Sequence, residues 1–345
     1  MATLRELAER TGYSAATISR ILSGDPALSV SMEARRKVLE EAGRLNYTAT
    51  RSRRGRAPKG VLRVGIAEML TPAQQLEDPF YLYLSGFVRQ GCLDRKYTAV
   101  PLESRGEGFL PPEGGPLDGM IAIGKFRPGQ IEAMEALCAQ IVFLNSSPRE
   151  SRFDSVVLNF SLGISMALEH LVELGHRSVG FIGPEWKLDD LGRRAPEVRR
   201  QLFAQQMAAR GLDCRGWLLD CPMETEAAAR AVGERLSNGG TRPTALLAAN
   251  EETAIGAIRA LRLAGLDAPK DLSVVSFNDT PRSALVEPPL TSVSAHVEEM
   301  ARTALRLLRE RVALPGREPE RTVPLKVVVP SSLTVRSSTG PVPAE

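Results

Sequence analysis

Residues 3–24 read Thr3-Leu4-Arg5-Glu6-Leu7-Ala8-Glu9-Arg10-Thr11-Gly12-Tyr13-Ser14-Ala15-Ala16-Thr17-Ile18-Ser19-Arg20-Ile21-Leu22-Ser23-Gly24. Thr3-Leu4-Arg5-Glu6 has the capping-box form, in which the threonine hydroxyl accepts from the Glu6 amide and the glutamate reaches back, so a helix is predicted from Leu4. Leu4, Leu7 and Ala8 share one face, Gly12 breaks the chain, and Ser14 can cap a second helix carrying Ile18, Ile21 and Leu22 at core spacing. Gly24-Asp25-Pro26 ends that helix. A third from about Ser31 turns Val38, Leu39, Ala42 and Leu45 inward, with Arg35, Arg36 and Lys37 near its outer face. Three short helices around one tight glycine turn make a helix-turn-helix head. The outer face of the second helix offers Ala15, Ala16, Ser19 and Arg20. Small residues let a backbone sink into a major groove, where Arg20 can pair with guanine and the alanines can meet thymine methyls. A ligand-free three-helix bundle would show the same periodicity, so charge has to separate the two readings.

Charge does so. Residues 1–60 hold 12 Lys/Arg against 6 Asp/Glu, whereas the remainder holds 32 against 35. A basic head on a slightly acidic body suits a polyanionic partner that the body does not need. After the head comes Thr50-Arg51-Ser52-Arg53-Arg54-Gly55-Arg56-Ala57-Pro58-Lys59, with five basic residues and no acid. Arginines of this kind can enter a narrow minor groove or neutralise phosphates; a solvated tether is the alternative.

From Val61 the pattern becomes apolar β-rich runs alternating with amphipathic helices, the mark of a parallel α/β sheet. Strands are expected over 62–67, 98–102, 118–123, 141–144, 178–182, 244–249 and 272–277, and helices over 83–95, 161–174, 195–210, 224–237 and 250–264. In a chain of 345 residues this suits two lobes of similar build sharing a cleft. Ligands of open α/β sheets sit beyond the carboxyl ends of the strands. The residues there are polar: Lys125, Asn145, Asn250 and Asn278-Asp279. Such a ring suits a hydroxyl-rich ligand such as a sugar, with Phe80, Tyr81 or Trp186 to stack on its apolar face. Asn250, ahead of Glu251-Glu252, could equally be a helix cap.

Enzyme signatures fail. Gly119 to Lys125 satisfies GxxxxGK, but Phe126 replaces the hydroxyl residue and the interior reads as a strand. His170 and His176 do not share a helix face for a metal, and His176 in Gly175-His176-Arg177 reads as a helix-end charge. No catalytic residue, metal or cofactor is expected. The four cysteines lie no closer than seven apart, so no CxxC site exists and a reducing setting is expected. Without an apolar leader or a run of about 18 apolar residues, the expectation is a cytoplasmic chain with no membrane partner.

Met1 to Ala8 and Ser14 to Gly24 resemble the head of the lactose-repressor/galactose-repressor (LacI/GalR) family. Asp78-Pro79-Phe80-Tyr81, Leu174-Gly175-His176-Arg177, Ala249-Asn250, Ala254-Ile255-Gly256, Asn278-Asp279 and Val335-Arg336-Ser337-Ser338-Thr339 are similar to family landmarks in the same order. Within the family, Asp25 to Val30 and Glu77 to Tyr81 look most like repressors of β-galactosidase genes.

The resemblance implies a periplasmic-binding-protein-like α/β core with parallel sheets. The division would be a head at 1–49, a basic hinge at 50–60, an N-lobe from 61–161 and 291–321, a C-lobe from 162–290 and 322–339, and a tail at 340–345. It places Thr3, Leu4, Ser14, Ala15, Ala16, Thr17, Ser19, Arg20, Ser23 and Tyr47, with hinge residues Arg51, Arg53, Arg54 and Arg56, on double-stranded operator DNA. Phe80, Lys125, Asn159, Arg199, Asn250 and Asn278 would hold a small sugar effector. Asn159 and Asn278 stand where the family usually has aspartate, and Arg56 stands where it has a wedging leucine. With no heptad leucines at the end, a homodimer is expected. The function implied is sugar-controlled repression of a carbohydrate-utilisation operon; a solute-binding protein or a sugar enzyme with an accessory DNA module are the competing classes.

Overall fold

The structure, a computed structural model, describes residues 4–22, 30–44, 61–214, 216–314 and 316–342. Thr3, Ser23, Tyr47, Arg51, Arg53, Arg54 and Arg56 lie outside these residues, as do the Gly24-Asp25-Pro26 stop and the side chains of Leu4 and Ser19. The chain divides into two compact units, Met1–Lys59 and Gly60–Glu345.

In the first unit the helices Leu4–Thr11, Ala15–Leu22 and Met32–Arg44 close on Leu7, Ile18, Ile21, Val38 and Ala42. Ser14 caps the second helix, its Oγ accepting from the Thr17 amide at 3.1 Å. Gly12 makes the turn at φ +77°, a left-handed backbone that glycine adopts without a Cβ penalty.

The second unit contains two six-stranded sheets. In the first, Lys326–Val329, Asp154–Leu158, Ile141–Leu144, Gly119–Ile123, Arg63–Glu68 and Thr98–Pro101 lie in that order, all parallel. The second runs Leu218–Leu219, Val179–Ile182, Ala245–Ala248, Ser273–Asn278, Thr291–Ser294 and Ser332–Thr334, with only the last pair antiparallel. Central strands such as Gly119–Ile123 and Ala245–Ala248 are buried along their whole length, as strands covered on both faces must be. Among the described residues no helix is long and apolar enough to cross a membrane.

The chain passes between the sheets three times, after Leu158, Ser294 and Val329. This displaces the return to the first lobe from the expected 291–321. Thr291–Ser294 stays in the second sheet, the helix Val297–Arg311 packs Met300, Ala304, Leu305 and Leu308 into the first lobe, and Lys326–Val329 joins the first sheet beside Asp154–Leu158. The polar residues inside these strands are paired. Ser292 is wholly buried but bonds to the Ser276 hydroxyl at 2.8 Å, and buried Asp154 receives the Arg321 guanidinium at 2.7 and 3.1 Å. Paired in this way, polar side chains can be buried without the desolvation cost they carry alone.

His176 also departs from expectation. Rather than a helix-end charge it is fully buried, its Nδ1 2.8 Å from Thr244 Oγ1 and its Nε2 3.0 Å from the Gly340 carbonyl. It thereby anchors the start of the expected tail, where the Val342 amide also donates to Leu174 O at 3.0 Å. Burial holds His176 below the usual histidine pKa. The unfolded chain therefore takes up a proton that the folded chain refuses, so stability should fall as pH drops below about 6.5. Chemical denaturation across pH should show a shallower decline in His176→Gln.

Helix packing supplies a second test. A Cβ on Gly256 would lie 2.2 Å from the Thr225 carbonyl oxygen, whereas one on Gly233 would meet nothing within 4 Å. Gly256→Ala should cost about 1–3 kcal/mol by overpacking. Gly233→Ala should instead stabilise by about 0.5–1 kcal/mol, both read by thermal melts.

Candidate functional site

The head presents Ala15, Ala16 and Arg20 as exposed positions of the second helix, with Ser14 exposed and Thr17 half-buried. Ser14 Oγ lies 2.8 Å from Thr17 Oγ1, so both hydroxyls are held at the helix start. Exposed small residues beside an arginine give this helix the profile that groove entry requires.

In the second unit, a cavity of about 540 Å³ opens between the lobes. The first lobe contributes Met69, Lys125 and Asn145, each just beyond a strand, and Tyr81 from the helix Pro79–Asp94. The second contributes Trp186, Lys187, Leu188 and Arg194 from a hairpin, then Glu197, Val198 and Arg199 at the start of the helix Val198–Ala209. A narrow recess shares the wall formed by Tyr81, Asn145, Phe160, Lys187 and Arg199, and adds Asp78, Phe80, Met223, Asn250 and Asn278. Its floor therefore comes from the carboxyl ends of the strands, where open α/β sheets bind ligands. Asn145 and Asn278 have φ of +66° and +100°, backbone in which asparagine is among the better tolerated non-glycine residues.

Arg199 is not a free fork aimed at the cleft. It is buried, its Nε donates to Glu197 Oε1 at 2.8 Å, and its Nη1 donates to the Ala249 carbonyl. The guanidinium also lies 5.3 and 5.9 Å from the ring centroids of Phe160 and Phe277. Glu197 in turn accepts from the amides of Arg199 and Arg200 at 2.8 and 3.1 Å. Burial opposes its charge, but Arg199 and these amides outweigh that and hold its carboxyl below the usual range.

Around this pair the charges compensate. Asp78 is raised by burial, with Lys187 and Arg199 pulling the other way. The Lys187 ammonium is lowered to about 8, by desolvation and then by Arg199. Burial pushes the Tyr81 phenol up, and its oxygen accepts from Asn145 Nδ2 at 3.1 Å. Mixed charges, amides and aromatic faces equip the cavity to hold a polar ligand with apolar patches.

Of the six residues expected to hold an effector, Phe80, Lys125, Arg199, Asn250 and Asn278 line these two spaces. Asn159 does not. Its side chain caps the helix Phe160–Glu173 by accepting from the Leu162 amide at 3.0 Å, and it is absent from both walls. Asn250 does both jobs: its Oδ1 takes the Thr253 amide at 2.9 Å while the residue lines the recess. Lys125 lines the cavity and also spans the lobes, donating to the Leu188 carbonyl at 2.7 Å. Lys187, Phe160 and Met223 were not read from sequence. Lys187 sits in a hairpin without an apolar run, and the other two carry no polar signal.

A DNA-binding type of helical head followed by a two-lobed α/β body with a cavity between its lobes defines a ligand-responsive regulator of transcription. A model of the periplasmic binding protein-like domain matches residues 168–339. The chain is 31% identical to the HTH-type transcriptional repressor MelR of Bacillus subtilis (strain 168), covering 99% of this chain and 98% of that one. It is 30% identical to the HTH-type transcriptional regulator GanR of the same organism, over 98% and 99%. Two solved structures share the fold: a CelR–cellobiose complex (TM-score 0.65, 24% identity, covering 98% of this chain and 100% of that one) and a lac repressor dimer bound to operator and the anti-inducer ONPF (TM-score 0.64, 23% identity, 98% and 99%). The chain belongs to the LacI/GalR family of transcriptional regulators.

The geometry revises what removal of Arg199 should do. Arg199→Ala leaves Glu197 as a buried carboxylate without its cation, which should destabilise by about 3–5 kcal/mol. Pairing Arg199→Met with Glu197→Gln should recover much of that loss, measured by urea denaturation. A parent-like Arg199→Ala would mean the pair carries no structural role.

Proposed function

We propose that the protein is a dimeric repressor of a carbohydrate-utilisation operon, which grips double-stranded operator DNA through its head and lets go when a small sugar fills the cleft. The observation that carries this reading is the cavity itself, whose wall is shared by both lobes. A ligand touching both can favour one lobe arrangement over another, and only such differential binding can shift an equilibrium. Support comes also from relatives: one is a transcriptional repressor and another structure with this fold is a complex with cellobiose. A β-galactoside is one candidate effector, on the sequence likeness to β-galactosidase repressors.

On this reading Ala15, Ala16, Ser19 and Arg20 read the major groove, and the hinge arginines neutralise phosphate or enter the minor groove. Phe80, Lys125, Arg199, Asn250 and Asn278 surround the sugar, Arg199 chiefly by shaping the wall. The site of action is the cytoplasm, where operator DNA is found.

A thermal-shift screen against sugars and sugar phosphates identifies the effector, since a ligand at 100 times its Kd stabilises by about 2.7 kcal/mol. Fluorescence anisotropy on operator DNA then tests the head. Arg20→Ala should weaken binding by about 1–3 kcal/mol per half-site and relax preference at one base pair. Replacing Arg51, Arg53, Arg54 and Arg56 with Gln should flatten the salt dependence by about one unit of slope per lost phosphate contact. An unchanged Arg20→Ala affinity removes Arg20 from base readout, and an unchanged slope makes the hinge a passive tether.

A further inference from the structure

The hairpin of Trp186–Leu188 and Arg194–Pro196 leaves the second lobe and reaches the first. Asp189 Oδ1 accepts from the Leu191 and Arg193 amides, both at 2.9 Å, which shapes its turn. Across the cleft, Lys125 donates to Leu188 O at 2.7 Å and lies 3.6 Å from Asp190. A Cβ on Gly192 would fall 2.9 Å from Arg127 Cα, so the hairpin tip rests directly on first-lobe backbone. The strap thus roofs the outer cavity with a preformed surface.

Under that roof the chemistry differs from the recess. Trp186, Leu188, Arg194 and Val198 line the outer cavity and not the recess, whereas Asp78, Asn250, Asn278 and Met223 line the recess and not the outer cavity. Trp186 is 43% exposed, and the Arg194 guanidinium sits 4.8 Å from its ring centroid. One face of the indole is thereby braced, and an aromatic surface remains in the cavity wall. Aromatic faces of this kind suit the C–H face of a sugar ring. Lys187 stands in the wall shared by both spaces, where Asp78 and Glu197 offset Lys187 and Arg199, two acids to two cations.

We propose that the outer cavity is a second saccharide subsite, with Trp186 as its platform and Lys187 and Lys125 as hydrogen-bond donors, so that the effector is a neutral disaccharide or longer. The volume agrees: about 540 Å³ is well inside the roughly 300–1,000 Å³ of small-molecule pockets, and one hexose ring would leave much of it to water. The proposal rests on the sugar-responsive reading above and narrows it.

The two tryptophans make the test direct. Trp217 is 1% exposed, so the fluorescence that acrylamide quenches in the full chain comes from Trp186. Neutral disaccharides, their component monosaccharides and the matching uronic acids are titrated, with quenching and operator release both recorded. A disaccharide should release operator at a concentration about tenfold below its best component and shield Trp186. Trp186→Ala should erase about that tenfold advantage while leaving monosaccharide binding within about twofold, and operator affinity without sugar should be unchanged. A monosaccharide that matches its disaccharides, a disaccharide that leaves quenching unaltered, or preference for the uronic acids overturns the second subsite while sugar control stands. Silence from every saccharide, with operator binding intact, overturns both.

Discussion

A buried carboxylate and a buried guanidinium would each be costly alone, and the cleft is built around their pairing. Glu197 caps the helix Val198–Ala209 and binds Arg199 at 2.8 Å. Arg199 then reaches the Ala249 carbonyl beyond the strand Ala245–Ala248 and lies over the ring pair of Phe160, just past the first crossover, and Phe277 in the strand Ser273–Asn278. One ion pair therefore fixes a helix start, two strand ends and a crossover relative to one another. Its contribution to net stability is modest against a well-packed apolar substitute, but losing one partner is severe. That asymmetry suits a site whose wall must keep its shape whether or not a ligand is present.

The three crossovers give this floor its mechanical meaning. Because Thr291–Ser294 and Lys326–Val329 lie in different sheets, the chain ties the two lobes together on either side of the cavity between them. Lys125 and the hairpin bridge the mouth of that cavity. A ligand contacting both walls is placed to bias the arrangement of the lobes.

Much of this was legible in the sequence, and the failures share a cause. Apolar runs such as Gly119–Ile123 and Ile141–Leu144 announced themselves, as did the head, where Ser14, Gly12 and the Ile18/Ile21 spacing each have one structural job. Strands that bury polar residues stayed hidden: Asp154–Leu158 opens with a carboxylate that meets Arg321, and Thr291–Ser294 pays for Ser292 with Ser276. Periodicity cannot see a hydrogen bond made to a residue far along the chain. Asn159, which the resemblance places at the ligand, is occupied as a helix cap, and His176, which reads as a helix-end charge, is buried against Thr244 and Gly340; neither set of partners is visible in the sequence. Strand-end position is what Lys125, Asn145, Asn250 and Asn278, which line these spaces, have in common in the sequence; what each side chain is already bonded to needed the fold.

If lobe geometry couples the cleft to the head, the coupling must be reciprocal, because linkage requires each ligand to change the other's affinity by the same factor. The direct measurement is calorimetric titration of the effector into free protein and into its operator complex at one salt concentration. The account predicts weaker effector binding in the operator complex, by the factor with which the effector weakens operator binding. Equal effector affinities in the two titrations would contradict it.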